Sequence, residues 1–412
     1  MRILQLCKKF PWPLKDGESI AVHHLASAYR RLGCRVDLLS MNTSKHWVDT
    51  NSLPADFDHY GLVRTVDVYN HIRPGGALLN LLFSKKSYHI SRFESVPFAE
   101  ALGEMLQAER YDVVQLESVY MAPYLPVIRR YSRARIALRA HNVEHEIWFQ
   151  VARNSSWLKS AYLRQITPRL RDYEVGKLNE YDMVVAISPN DAARFVALGL
   201  EKPAIVAPVG IDTGRYLPDY ACFGDYPALS FIGSLDWMPN QEGLWWFINK
   251  VWLPLLQPRF PRLRFHIAGR HAPERLRRLS APGVIFHGET PDAAAFLNAY
   301  PIMVAPLLSG SGIRIKIIEA MAMGRVVIST STGIEGIPAR HGVEAFVADS
   351  PDDFAQAVAH CIEAREGLRA VGEAARRFCE RRFDDLRIAG EVLAAYRAHT
   401  QSHGDGALRP SR

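Results

Sequence analysis

The chain is 412 residues long, with 48% apolar and 23% charged residues, a composition that excludes disorder and leaves length for two or three domains. No apolar run reaches the ~18 residues that suggest a membrane-spanning helix, and five cysteines without a CxxC pair argue against a zinc knuckle or a disulfide framework. The net charge of +7 is uneven: residues 121–171 hold ten basic and two acidic side chains, read either as a surface for polyanions or anionic lipid, or as a solvated helix face.

Lysines 8 and 9 follow the N-terminal apolar run, the wrong order for a secretory signal, so a cytoplasmic protein is expected. The run at 3–7 predicts a strand, and 18–32 a helix that Gly33 ends. Further short apolar runs predict strands at 36–40, 62–68, 113–116, 136–139, 183–187 and 204–207. After Gly210 comes a stretch rich in Asp, Tyr, Gly and Pro. The pattern then restarts, with strands expected at 229–233, 263–268, 284–287, 303–306, 326–330 and 345–348. Helices are expected at 241–256, 313–323 and 351–398. Strands alternating with helices imply α/β architecture: two Rossmann-like, doubly wound domains with parallel sheets. The expected division is a first domain at 1–210, a linker at 211–227 and a second domain at 228–383. A helix at 384–400 would pack back on the first domain, and a disordered tail at 401–412 would follow. Ligands of such sheets bind beyond the carboxyl ends of the strands, so a cleft facing both sets of ends is expected.

Residues 306–336 read PLLSGSGIRIKIIEAMAMGRVVISTSTGIEG. A strand ends in a loop of Gly310, Ser311 and Gly312 that feeds a helix. Bare backbone N–H groups at a helix start form an anion site. Arg314 and Lys316 in the expected first turn oppose the helix dipole unless an anion is present, which points to a bound phosphate. Glu319 lies seven residues beyond Gly312, ~10 Å along a helix. It could accept two vicinal ribose hydroxyls while the phosphates sit at the helix start. In so apolar a stretch a carboxylate needs a partner.

This segment resembles the nucleotide-sugar motif of the GT-B-fold retaining glycosyltransferases of family 4, also called glycosyl transferases group 1. The likeness continues in FIGSLDWMPNQEGLWWF (231–247), FHIAGR (265–270) and RAHNVEHEIW (139–148). It covers nearly the whole chain, and is nearest to a bacterial subgroup associated with exopolysaccharide. The chain departs from the family in two ways. The first of the family's two glutamates falls at Ser311. The Arg and Lys that usually grip the diphosphate fall at Ser234 and at Asn240 or Gln241. Arg314 and Lys316 are read as replacements.

The resemblance implies a hexosyltransferase acting with retention. The donor would be a nucleoside diphosphate sugar and the acceptor lipid-linked or a glycan. No metal, cofactor or nucleic acid is implied, and peripheral docking on an anionic membrane face is compatible with the resemblance. His141, following a strand, would contact the donor sugar. Gly17 would admit the sugar diphosphate, Arg270 the base or ribose, and Glu335 sugar hydroxyls. Glu117, also at a strand end, is read as an acceptor contact or a turn cap. His145 and Glu146 are read as loop supports, and Trp237 as packing or sugar stacking. Two other readings stay open: a nucleotide-sugar epimerase of the same fold, and a non-catalytic sugar-nucleotide or polysaccharide binder. No GxGxxG follows the first strand, which disfavours a dinucleotide dehydrogenase.

Overall fold

The computed structural model describes residues 1–401 except 15, 56, 72–74, 76–79, 82–83, 85, 154 and 311. The tail expected at 401–412 lies, beyond Gln401, outside the described residues. The chain divides into two compact units, one of residues 1–210 and 385 onward, the other of 211–384.

The first unit carries seven parallel strands in the order β3-β2-β1-β4-β5-β6-β7. They are β1 (Arg2–Cys7), β2 (Arg35–Thr43), β3 (Leu62–Val68), β4 (Val113–Leu116), β5 (Arg135–Ala140), β6 (Met183–Ala186) and β7 (Ala204–Val206). Central strands such as VVQL of β4 and MVVA of β6 are buried along their whole length. That is what a sheet covered on both faces requires. Helix α1 (Gly17–Arg31) starts where Asp16 caps the amide of Ser19 at 3.0 Å. It ends before Gly33, whose φ of 79° few other residues tolerate.

The second unit holds six parallel strands in the order β10-β9-β8-β11-β12-β13. These are β8 (Leu229–Ile232), β9 (Phe265–Ala268), β10 (Val284–Gly288), β11 (Ile302–Ala305), β12 (Val326–Ser329) and β13 (Phe346–Val347). Apolar clusters cover the sheet on both faces in each unit. Each fully buried Leu, Ile or Val side chain there contributes about 1.5–3 kcal/mol.

Residues 211–227, expected as a linker, belong to the second unit. Their Asp, Gly and Pro residues form turns whose carbonyls are met by guanidinium groups. Arg376, in the helix Arg365–Arg382, donates to the carbonyls of Thr213 (2.9 Å), Tyr216 (2.5 Å) and Ala322 (2.6 Å). The buried Arg325 reaches the Asp219 carbonyl at 2.6 Å. The last helix, Asp385–Gln401, packs beside α1 in the first unit. Ile388, Val392 and Leu393 join the core there, and Arg135 donates to the Tyr396 carbonyl at 3.0 Å.

Arg376→Met would keep the apolar stem and strand three carbonyls. Losing charge-assisted bonds at this site should cost about 2–4 kcal/mol. Urea unfolding followed by tryptophan fluorescence should show the earliest transition moving to lower denaturant.

Candidate active site

In the second unit, the ends of β8, β9, β11 and β12 gather the residues singled out above. Gly310 and Gly312 have φ of 110° and 82°, in the left-handed region that glycine occupies freely. A side chain at Gly310 would also meet the Arg314 guanidinium at 2.9 Å. The helix α2 (Ile315–Ala322) begins two residues later than expected. Arg314 therefore caps it with extended backbone (φ −90°, ψ 95°) rather than standing in its first turn. Its buried guanidinium turns back, donates to the Gly312 carbonyl and lies 5.8 Å from the Trp237 ring centroid. Ser311 lies outside the described residues.

Lys316 stands in the first turn of α2. Its ammonium donates to Asn240 Oδ1 at 2.7 Å and sits 4.2 Å from the Phe231 ring centroid. Asn240 in turn donates to the Ser234 carbonyl at 2.7 Å. Burial, then the charge of Arg314, lowers the Lys316 pKa to about 7. A side chain at Gly233 would crowd both, at 3.3 Å from Lys316 Nζ and 2.9 Å from Asn240 Nδ2. Arg270 follows β9 and its Nε lies 3.3 Å from Ser234 Oγ. So Ser234 touches a cation carried by another element, as does Asn240, one of the two residues at which the second clamp position is expected; the other, Gln241, donates to the Leu235 carbonyl at 2.8 Å.

Glu319 accepts from the Tyr216 hydroxyl at 2.7 Å, the partner that its apolar setting demands. Burial raises its pKa and this bond opposes the rise. Tyr216 lies in the stretch read as linker, where no local pattern marks it as a partner of Glu319. Glu335 is exposed in the loop after β12, and its charge opposes the lowering of the Arg314 pKa by burial.

The first unit holds a second polar cluster. Glu117, after β4, is fully buried. It accepts from Gln5 at 3.0 Å and from Gln115, and lies 3.0 Å from His141 Nε2. The buried carboxylate is thus turned toward His141 and the two side-chain amides. An N–H on Nε2 facing this carboxylate would leave Nδ1 as the acceptor nitrogen. His145 Nδ1 lies 2.6 Å from Glu174, whose carboxylate also accepts the amides of Glu144 and His145. Gly17 opens α1, and a Cβ there would meet nothing within 4 Å. Lys8 and Lys9 pair with Glu18 (3.2 Å) and Asp16 (2.7 Å) at this same helix start. These lysines, taken above only as evidence against a secretory signal, stand directly after β1, a place that was a usable signal for a site.

The basic segment is less of a patch than expected. Arg129 pairs with Asp182 at 2.9 Å, Arg139 is buried against the Ala21 carbonyl, and Arg169 donates to the carbonyls of Asn80, Leu81 and Ser84. These arginines hold the fold together. Among the described residues no helix is long and apolar enough to cross a membrane.

Two units with parallel, doubly wound sheets, the second with a glycine loop feeding a helix, are the GT-B glycosyltransferase architecture. Sucrose-phosphate synthase of Thermosynechococcus elongatus shares it, with a TM-score of 0.67 at 17% identity over 98% of this chain and 100% of that one. Anabaena HepE in complex with UDP does so too, with a TM-score of 0.66 at 15% identity over 97% of this chain and 100% of that one. Residues 16–215 match the family model described as Glycosyltransferase Family 4, and 226–364 that described as Glycosyl transferases group 1. The chain belongs to this glycosyltransferase family. A protein of the cps region of Klebsiella pneumoniae is 26% identical over 40% of this chain and 44% of its own length. The phosphatidyl-myo-inositol mannosyltransferase of Mycobacterium tuberculosis is 28% identical over 50% of this chain and 57% of its own. The chain thus spans about half the length of the curated relatives it matches.

The depressed Lys316 pKa has a stability consequence. Between about 7 and the usual lysine value of 10.5, the unfolded chain holds a proton that the folded site lacks. Stability from this group therefore rises with pH through that window, by up to about 1.4 kcal/mol per pH unit. Urea midpoints of the wild type and Lys316→Met, compared at pH 7 and pH 9, should show this rise in the wild type and a flatter response in the variant.

Proposed function

We propose that the protein moves a hexosyl group, with retention, from a nucleoside diphosphate sugar to an acceptor hydroxyl, in synthesis of a bacterial exopolysaccharide or envelope glycan. The observation that carries this reading is the half-buried ammonium of Lys316, held by an amide oxygen and a ring rather than by a carboxylate. A desolvated cation of this kind is suited to an incoming diphosphate. Arg270 beside Ser234 and Lys316 beside Asn240 would supply the charge of the family clamp from different elements. Arg314 would add to it through the glycine loop. Together these groups would stabilise the departing diphosphate without a metal, as charge develops on it. Glu319 would exchange its Tyr216 bond for the ribose hydroxyls. His141, held by Glu117, would address the donor sugar. In this reading no protein nucleophile is used. The acceptor proton passes to the departing diphosphate on the face the acceptor attacks.

The HepE complexes with UDP and with UDP-glucose support a uridine donor. The relative from a cps region supports a role in surface polysaccharide. Peripheral membrane association remains part of the proposal. It is favoured by Trp157 and Leu158, 77% and 64% exposed at the start of the helix Trp157–Lys177, beside exposed Arg153 and Lys159.

Screening nucleotide sugars by mass spectrometry, with NMR of the product anomer, tests the reaction. An inverted anomer refutes retention, and an epimeric donor in the mixture would favour the epimerase. Glu319→Ala should weaken nucleotide binding by about 2–3 kcal/mol in calorimetry; unchanged affinity in the folded variant removes Glu319 from the site. Co-sedimentation with phosphatidylglycerol vesicles should need low salt and should fail for Trp157→Ser/Leu158→Ser.

A further inference from the structure

The first unit contains a cavity of about 530 Å³ that none of the residues assigned so far explains. It opens beyond the carboxyl ends of three neighbouring strands. Lys8 and Lys9 follow β1, Thr43 ends β2, and Asn70 follows β3. Four cations line it, Lys8, Lys9, Lys45 and Arg92, and no Asp or Glu does so among the described residues. Lys8 and Lys9 have carboxylate partners just outside the lining. Arg92 instead donates to the Asn70 carbonyl at 2.7 Å, and among the described residues no carboxylate pairs with it or with Lys45. Two groups in the wall have no hydrogen-bond partner among the described residues: Thr43 Oγ1 and His89 Nε2. Both side chains are more than nine-tenths buried, at 1% and 5% exposure. Buried polar atoms of this kind are ordinarily satisfied, by a ligand or water where the protein offers no partner.

The remaining wall is aromatic and rigidly held. Trp148 Nε1 donates to the Tyr120 hydroxyl at 3.0 Å, and that hydroxyl donates to Glu144 at 3.1 Å. The His89 ring packs on Trp148 with centroids 3.9 Å apart. Of the three lining histidines, His46 and His89 are shifted toward the neutral form, first by burial and then by nearby positive charge. Burial and the charge of Arg92 lower the His89 pKa to about 4. Burial and the charges of Lys9 and Lys45 lower that of His46.

We infer that this cavity is the acceptor subsite, and that the acceptor it takes is a sugar carrying a phosphoryl or diphosphoryl group. The phosphoryl oxygens meet Lys45 and Arg92, with Thr43 and His89 as hydrogen-bond partners, and the sugar ring lies against Trp148. A neutral glycan would leave Lys45 and Arg92 without a counter-charge. This assignment rests on the glycosyltransferase reading given above, with the donor nucleotide in the second unit.

Calorimetry on the full chain tests it, with inorganic pyrophosphate and glucose 1-phosphate as probes and UDP at saturation. Lys45→Ala/Arg92→Ala should weaken both probes at least tenfold and leave UDP affinity within twofold. Arg130→Ala/Arg133→Ala should change neither. Lys45 is exposed, so Lys45→Ala alone serves if the double variant fails to fold. Unchanged probe affinity in these variants overturns the inference, as does an equal loss in the Arg130/Arg133 control, which would mean diffuse surface charge. Glucose binding as tightly as glucose 1-phosphate overturns the phosphoryl assignment. Failure of UDP to bind counts against the nucleotide reading instead, and the probes are then titrated without it. A tenfold preference for geranyl diphosphate over glucose 1-phosphate identifies an isoprenoid-linked source. Vesicle binding that weakens in Lys45→Ala identifies a phospholipid headgroup, and equal affinity for both small probes a soluble sugar phosphate.

Discussion

A parallel sheet must be left by every strand at the same edge, and here that constraint decides where chemistry is possible. Lys8 follows β1, Glu117 follows β4 and His141 follows β5 in one unit. Ser234 follows β8, Arg270 follows β9, Gly310 follows β11 and Glu335 follows β12 in the other. Strand interiors are buried on both faces and have no room for exposed polar side chains. Groups far apart in sequence are therefore brought together at one edge, and the apolar layers beneath hold them in register.

The second common thread is how the charges at these strand ends are met. Glu319 has a phenol, Lys316 an amide and a ring, Glu117 two amides and a histidine. The hydrogen bonds of these three come from or go to uncharged groups or a histidine, and the nearest guanidinium to Glu117, that of Arg139, stands off at 4.0 Å. Elsewhere the chain does use close carboxylate–guanidinium pairs, as between Arg31 and Asp385 or Arg2 and Asp37. A strong internal counter-ion would have to be displaced before a charged substrate bound. Neutral partners satisfy the groups without saturating them.

Much of this was legible in the sequence, for reasons that can be stated. Short apolar runs between turn residues gave the strands of both sheets, since a strand buried on both faces tolerates little else. The glycine loop before Lys316 and Glu319 could be read because backbone conformation there narrows the residue choice. The linker could not be distinguished from a packed segment, because Asp, Gly and Pro mark turns whether or not the turns are docked. Only the long-range contacts of Arg376 and Arg325 decide that, and an arginine 160 positions from its acceptor leaves no local trace. The helix start was misjudged by two residues for a similar reason: Ile313 continues the apolar pattern although Arg314 is extended. The basic segment misled because charge can be counted in a sequence, while partners such as Asp182 and the Tyr396 carbonyl cannot.

The return of the chain for its last helix makes the second unit, in connectivity, an insertion into the first. Its two ends run side by side. Ile211 and Asp384 form a parallel bridge, and a Cβ on Gly210 would stand 2.8 Å from the Asp385 Cα. An inserted module whose ends are neighbours can be exchanged as a cassette at two adjacent splice points without lengthening the path of the host. One cut, by contrast, removes α1's companion helix along with the module and bares the apolar side of Val22 and Leu25. Recombination that exchanges the second unit of such a chain must therefore preserve the seventeen residues of the last helix as part of the other half.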